Sequence, residues 1–170
     1  MPNPYLSLVE SWKQLPPNVG WSRPDPLDGE MSIYAPLEIG GVTVGAFALR
    51  ATCNVERPDT DVMLQLETGL PGDRTKLPLC RIDWRPLSGG HKQPKQPGNR
   101  KRKFISGSHL HTFLDNWHAE EERMIGTNLP WAQQLAPEPS DIYGLLDLAQ
   151  NLFRIKDLSR IGIPEWAAKW

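Results

Sequence analysis

All four histidines of the chain, His91, His109, His111 and His118, fall within 28 residues. His109 and His111 flank Leu110, and on a strand a spacing of two puts both rings on one face. The segment Arg81-Ile82-Asp83-Trp84-Arg85 repeats that spacing with charged groups, leaving Trp84 to a core face. If the two strands pair, two titratable rings, a carboxylate and a guanidinium meet on one sheet surface, with Gln65 and Glu67 on the next strand. His109, His111, Arg81 and Asp83 are therefore the candidate catalytic residues.

Two chemistries suit that set. Without a metal, one imidazole takes the proton of an RNA 2′-hydroxyl and a second acid protonates the leaving 5′-oxygen. Arg81, Arg85 or a loop lysine stabilises the phosphorane-like charge, and Asp83 fixes a histidine tautomer. This reading needs no cofactor. The alternative is zinc on His109-x-His111, with Asp83, Glu67, His91 or His118 as further ligand candidates.

Between the charged strand and the histidine pair lies His91-Lys92-Gln93-Pro94-Lys95-Gln96-Pro97-Gly98-Asn99-Arg100-Lys101-Arg102-Lys103. It holds six of the nineteen lysines and arginines and no acid. In a chain of net charge -1, this concentrated positive field marks His91, Lys92, Lys95, Arg100, Lys101, Arg102 and Lys103 as candidates for contact with RNA or another polyanion. His118 precedes Glu121 by three residues, a spacing for a local ion pair.

The elements that must position these groups follow from periodicity. Asn3 and Pro4 open a predicted helix over residues 3–15, which Pro16 and Pro17 close. Residues 32–39 and 42–49 form a predicted hairpin around Gly40-Gly41. Residues 62–68 place Val62, Leu64 and Leu66 opposite Met63, Gln65 and Glu67. Residues 77–85 do the same with Cys80, Ile82 and Trp84 against Arg81, Asp83 and Arg85. After the basic loop, residues 86–103, comes a predicted fifth strand over 104–112. From 113 onward the pattern predicts helices: one over 113–125, a turn over 130–135, a clear amphipathic helix from Ser140 to Ile155, and a docked tail around Trp166 and Trp170. The expectation is a single α+β domain over residues 1–170, an antiparallel sheet of four to five strands (residues 32–112) with helices packed on one face.

The stretch Arg81-x-Asp83, His91 and His109-x-His111 resembles a pattern of small bacterial toxins of toxin–antitoxin modules. Those are compact ribonuclease folds with helices against a four- or five-stranded antiparallel sheet. The likeness covers residues 77–113 and stops before the C-terminal third. It implies a site of His109, His111, Arg81 and Asp83, and gives the basic loop no counterpart.

Composition narrows the field. The chain has 170 residues, 39% of them hydrophobic, and no apolar run long enough for a membrane helix. The first twelve residues lack the pattern of a signal peptide. Cys53 and Cys80 make no disulfide framework, so a reduced, cytoplasmic, soluble protein is expected. No P-loop, dinucleotide fingerprint, HExxH or GxSxG motif is present. Three functions remain: a toxin-like, metal-independent endoribonuclease, a zinc-binding enzyme, or a phage or plasmid interaction protein that docks an antitoxin or an inhibited target through its charged loops.

Overall fold

The computed structural model describes residues 3–69, 75–95 and 103–167. In chain order the elements are α1 (Pro4–Glu10), β1 (Lys13–Gln14), β2 (Glu30–Ile39), β3 (Val42–Asn54), β4 (Val62–Gly69), β5 (Lys76–Trp84), β6 (Gly90–Lys92), β7 (Phe104–Ser106), β8 (His109–His111), β9 (Trp117–His118), β10 (Arg123–Met124), β11 (Gln133–Gln134), α2 (Ile142–Phe153) and β12 (Ile155–Lys156). Eight strands make the main sheet in the order β11-β8-β5-β4-β3-β2-β1-β12, and β6/β7 and β9/β10 form separate two-stranded ribbons.

The sheet has one hydrocarbon face, and its register is written in the sequence. Ile33 lies opposite Ala51, Ala51 opposite Leu64, and Leu64 opposite Ile82. All four are fully or almost fully buried, as is Trp84 opposite Val62. Slipping any strand by one residue would turn these side chains to the other face, so the pattern fixes the pairing. Ile142, Leu145, Leu146, Ala149 and Phe153 of α2 belong to the same buried cluster. Gly40 and Gly41, at φ +61° and +79°, make the expected tight turn between β2 and β3.

Several expectations are corrected. The main sheet has eight strands rather than four to five, and β1 pairs with β12 in parallel, so it is not wholly antiparallel. The predicted helix over 3–15 stops at Glu10, although Asn3 does cap it through Tyr5 and Leu6 amides. Buried Lys13 explains the early stop. Its ammonium donates to the Val9, Ser11 and Phe153 carbonyls, satisfying the ends of both α1 and α2. That ties Lys13 to β12 rather than to a fourth helical turn.

The C-terminal third is less helical than its periodicity suggests. In place of a helix over 113–125 stand a single 3-10 turn, Leu114–Asn116, and the β9/β10 ribbon. The cause is Asn116, whose amide bonds backbone groups of Thr112 and Trp131 instead of pointing to solvent. Residues 133–134 form β11, not a helical turn, and residues 162–167 are not helical. Trp170 lies outside the described residues. α2 is the one long helix the pattern identified, and Asp141, rather than Ser140, caps it.

The predicted strand over 104–112 is split at Gly107-Ser108. Gly107 is left-handed at φ +72°, and the break sends β7 to pair with β6 while β8 joins the main sheet beside β5. The basic loop therefore contains a strand of its own.

Candidate metal centre

The pairing of β5 with β8 sets Arg81 opposite His111 and Asp83 opposite His109, on the sheet face away from the hydrocarbon core. The four candidate catalytic residues thus meet as neighbours across one ladder. Met63 and Gln65 of β4 continue the same face behind Asp83 and Arg81.

His91 joins them from outside the main sheet. Its ring centroid lies 4.7 Å from that of His111 and 5.4 Å from that of His109. One ring nitrogen from each of the three histidines falls within 4.8 Å of the other two. The sequence places His91 in the basic loop, as a candidate nucleic-acid contact and as one of several possible third ligands. The β6/β7 ribbon carries the ring back over β8.

The outward nitrogen of every ring is fixed by a backbone carbonyl. His109 Nδ1 lies 2.9 Å from the Gly107 carbonyl, His111 Nδ1 3.0 Å from that of Trp131, and His91 Nε2 2.8 Å from that of Pro130. Carbonyl oxygens only accept, so each of these nitrogens carries the hydrogen. In the neutral rings the lone pairs then sit on His109 Nε2, His111 Nε2 and His91 Nδ1.

Asp83 lies beside two of the three rings. Its Oδ2 lies 3.2 Å from both His109 Nε2 and His111 Nε2. A carboxylate oxygen facing two imidazole lone pairs is repulsive unless a proton or a cation lies among them. Burial pushes the Asp83 pKa up, but the two imidazole nitrogens beside it and the Arg81 charge outweigh this, holding the carboxyl well below its usual range. Burial is also the largest influence on His111 and lowers its pKa below 6.5; Arg81 adds to this and Asp83 opposes it. His111 is therefore a neutral ring at neutral pH.

Arg81 is the cation that reaches the cluster among the described residues. Its Nε donates to Asp83 Oδ2 at 2.8 Å, its Nη2 lies 3.1 Å from His111 Nε2, and its Nη1 donates to Asn128 Oδ1 at 2.8 Å. His109 has no such donor: both its nitrogens face acceptors, the Gly107 carbonyl and Asp83.

Two buried amides hold the carbonyls in place. Gln93 accepts from the Ala132 amide and donates to the Ala132 carbonyl, and Asn116 brackets Trp131 through both its N–H and its C=O. Residues 130–132 are thereby pinned over His91 and His111. Replacing Asn116 with alanine leaves buried backbone groups unpaired, and is expected to cost about 1–3 kcal/mol. A urea denaturation midpoint equal to wild type would show that this bracket does not hold the segment.

Gly90 performs the matching task for His91. Its φ of +149° and its closeness to the Ile105 carbonyl and the Phe104 ring leave no room for a Cβ. Gly90→Ala is expected to unseat the ribbon and weaken metal binding roughly tenfold to a hundredfold, with the far-ultraviolet circular dichroism unchanged. Undiminished metal affinity would remove His91 from the site.

Other candidates lie elsewhere. Glu67 is buried and accepts from Gln65, and His118 pairs with Glu121 at 3.5 Å in the β9–β10 turn rather than on a helix. Arg85 leaves the site face because its φ of +49° breaks the strand alternation. It bonds Glu138 and the Asp59, Pro139 and Ser140 carbonyls, and is structural. Burial pushes the Cys53 and Cys80 thiols up to about 12, so neither is a nucleophile at neutral pH. Lys92, Lys95 and Lys103 are exposed, while Arg100, Lys101 and Arg102 lie outside the described residues.

No family model, curated protein or solved structure matches this chain. Among the described residues no helix is long and apolar enough to cross a membrane.

Proposed function

We propose that this chain is a metalloprotein, and that His91, His109 and His111 hold one divalent ion of the zinc class at a hydrolytic centre, with Asp83 beside it and a fourth position open to water. One observation carries the reading. Three imidazoles have their outward N–H groups tied to backbone carbonyls, and their lone pairs converge beside a carboxylate. Metal-bound histidines are oriented in this way, with the second nitrogen donating to a carbonyl or carboxylate.

A bound ion of this class lowers the pKa of a coordinated water to near neutrality and so supplies a nucleophile. The chain's own residues do the rest. Asp83, ionised throughout the neutral range and held by Arg81, stands beside the three rings and is too weak a base to take protons there. Arg81 keeps its Nε on Asp83 and has Nη2 available for the oxygen on which charge develops, once an ion takes over the His111 lone pair.

A second reading has an observation of its own. Arg81 Nη2 already serves His111 without any ion, which suits the metal-free acid–base cleavage of RNA expected from the toxin-like pattern. Elemental analysis of purified protein and an RNA cleavage assay in EDTA separate the two. Near one equivalent of metal, lost in EDTA together with activity, supports the metal centre. Metal-free protein that cleaves RNA in EDTA, and stops doing so on His109→Ala, supports the acid–base reading and overturns the first.

A further inference from the structure

Beside the centre runs a groove of about 480 Å³, lined by His91, Lys92, Lys95, Thr127, Asn128 and Pro130 among others. This size is in the range of small-molecule sites. The groove belongs to the same construction as the centre: His91 is shared by both, Pro130 accepts the His91 hydrogen bond, and Asn128 accepts from Arg81. A molecule seated in it would therefore lie against the histidine cluster.

The lining is one-sided in charge. Lys92 and Lys95 are exposed, and neither has an ion-pair partner among the described residues. Among the described residues no carboxylate lines the groove. Asn128 has its carbonyl oxygen engaged by Arg81, which leaves its amide N–H groups as donors. Thr127 adds a hydroxyl. Two ammonium groups, an amide donor and a hydroxyl, without an opposing acid, are a receptor for a compact, multiply charged oxyanion.

From this arrangement we infer that the groove binds the phosphate of a phosphate ester, and so orients that ester toward the centre. The inference rests on the histidine cluster being the reacting centre and adds to it the class of substrate. Lys92 and Lys95 act by holding the phosphate oxygens, and Arg81, behind Asn128, extends the positive field from the groove to the ion. The chemistry is common to a phosphomonoester and to the diester of a nucleic acid, both of which present non-bridging phosphate oxygens.

The test is equilibrium binding of inorganic phosphate to the full chain, followed by 31P NMR line broadening, with metal content measured on the same samples. Wild type is expected to bind phosphate, and the double variant Lys92→Glu/Lys95→Glu to bind it at least about tenfold more weakly while keeping its metal. Lys156→Glu, a charge reversal on the far edge strand, is the control for each single reversal, Lys92→Glu and Lys95→Glu, which carry the same change in net charge. Displacement of phosphate by a nucleoside monophosphate or by a dinucleotide identifies the source: the first assigns a monoester, the second an internucleotide diester. No phosphate binding to metal-loaded wild type, or equal weakening by Lys156→Glu and by both single reversals, overturns the groove. Absence of metal with phosphate binding intact overturns the centre and leaves the groove standing.

Discussion

His111→Ala is expected to weaken the proposed metal binding roughly a hundred- to thousandfold. The apparent binding energy of a structural zinc site is about 10–16 kcal/mol; shared over four ligands, one is worth about 3–4 kcal/mol. His111 is the most enclosed of the three rings, at 0% exposure, so water cannot replace its nitrogen without opening the segment that Trp131 anchors. His109→Ala is expected to match it. His118→Ala is the control, because that ring belongs to the β9–β10 turn and touches Glu121. Competition titration against a chromophoric chelator reads the difference. Equal affinities of His111→Ala and wild type would exclude β8 from the site.

The second large effect is on stability. A ligand that binds only the folded chain adds about 4 kcal/mol at a thousand times its dissociation constant. In a chain of 170 residues each kcal/mol shifts Tm by about 2–4 °C, so saturating metal raises Tm by about 8–16 °C over EDTA-treated protein. The dependence on pH has a definite sign. Burial holds the His111 pKa below 6.5, so between the folded value and 6.5 the unfolded chain binds more protons than the folded one. Stability there rises with pH, and falls as the solution is acidified through the folded value. The metal also requires neutral rings. Its stabilisation is thus full above about pH 6.5 and fades below it, and Asp83, ionised throughout, sets no limit in that range. A Tm shift independent of pH between 5 and 8 would contradict this assignment of ligands.

Much of the site is legible in the sequence because a strand obeys a period of two. Arg81-x-Asp83 and His109-x-His111 each declare a face, and the apolar alternation of Val62, Leu64, Leu66, Cys80, Ile82 and Trp84 fixes which face is buried. Register then follows, and the four side chains meet. The position of His91 follows no such period. It depends on Gly90 adopting a conformation closed to other residues, and on residues 130–132 being pinned by Gln93 and Asn116, contacts that span 39 and 15 residues respectively. The helix expected over 113–125 fails for the same reason: Phe113, Leu114, Trp117 and Met124 share a helical stripe, but Asn116 satisfies backbone groups that a helix would need. Likewise Trp12 and Leu15 fit the face of α1 by spacing, and Lys13 ends that helix because it serves carbonyls of two helices at once. In each case a buried polar side chain overrides hydrophobic periodicity, and periodicity contains no information about it.

The X-ray absorption spectrum of the zinc-loaded protein tests the central claim most directly. The expected result is a shell of nitrogen and oxygen at about 2.0–2.2 Å with the multiple-scattering signature of three imidazoles, reduced to two in His91→Ala. A first shell of oxygen alone, or a spectrum that His91→Ala, His109→Ala and His111→Ala leave unchanged, would show that these rings hold no ion.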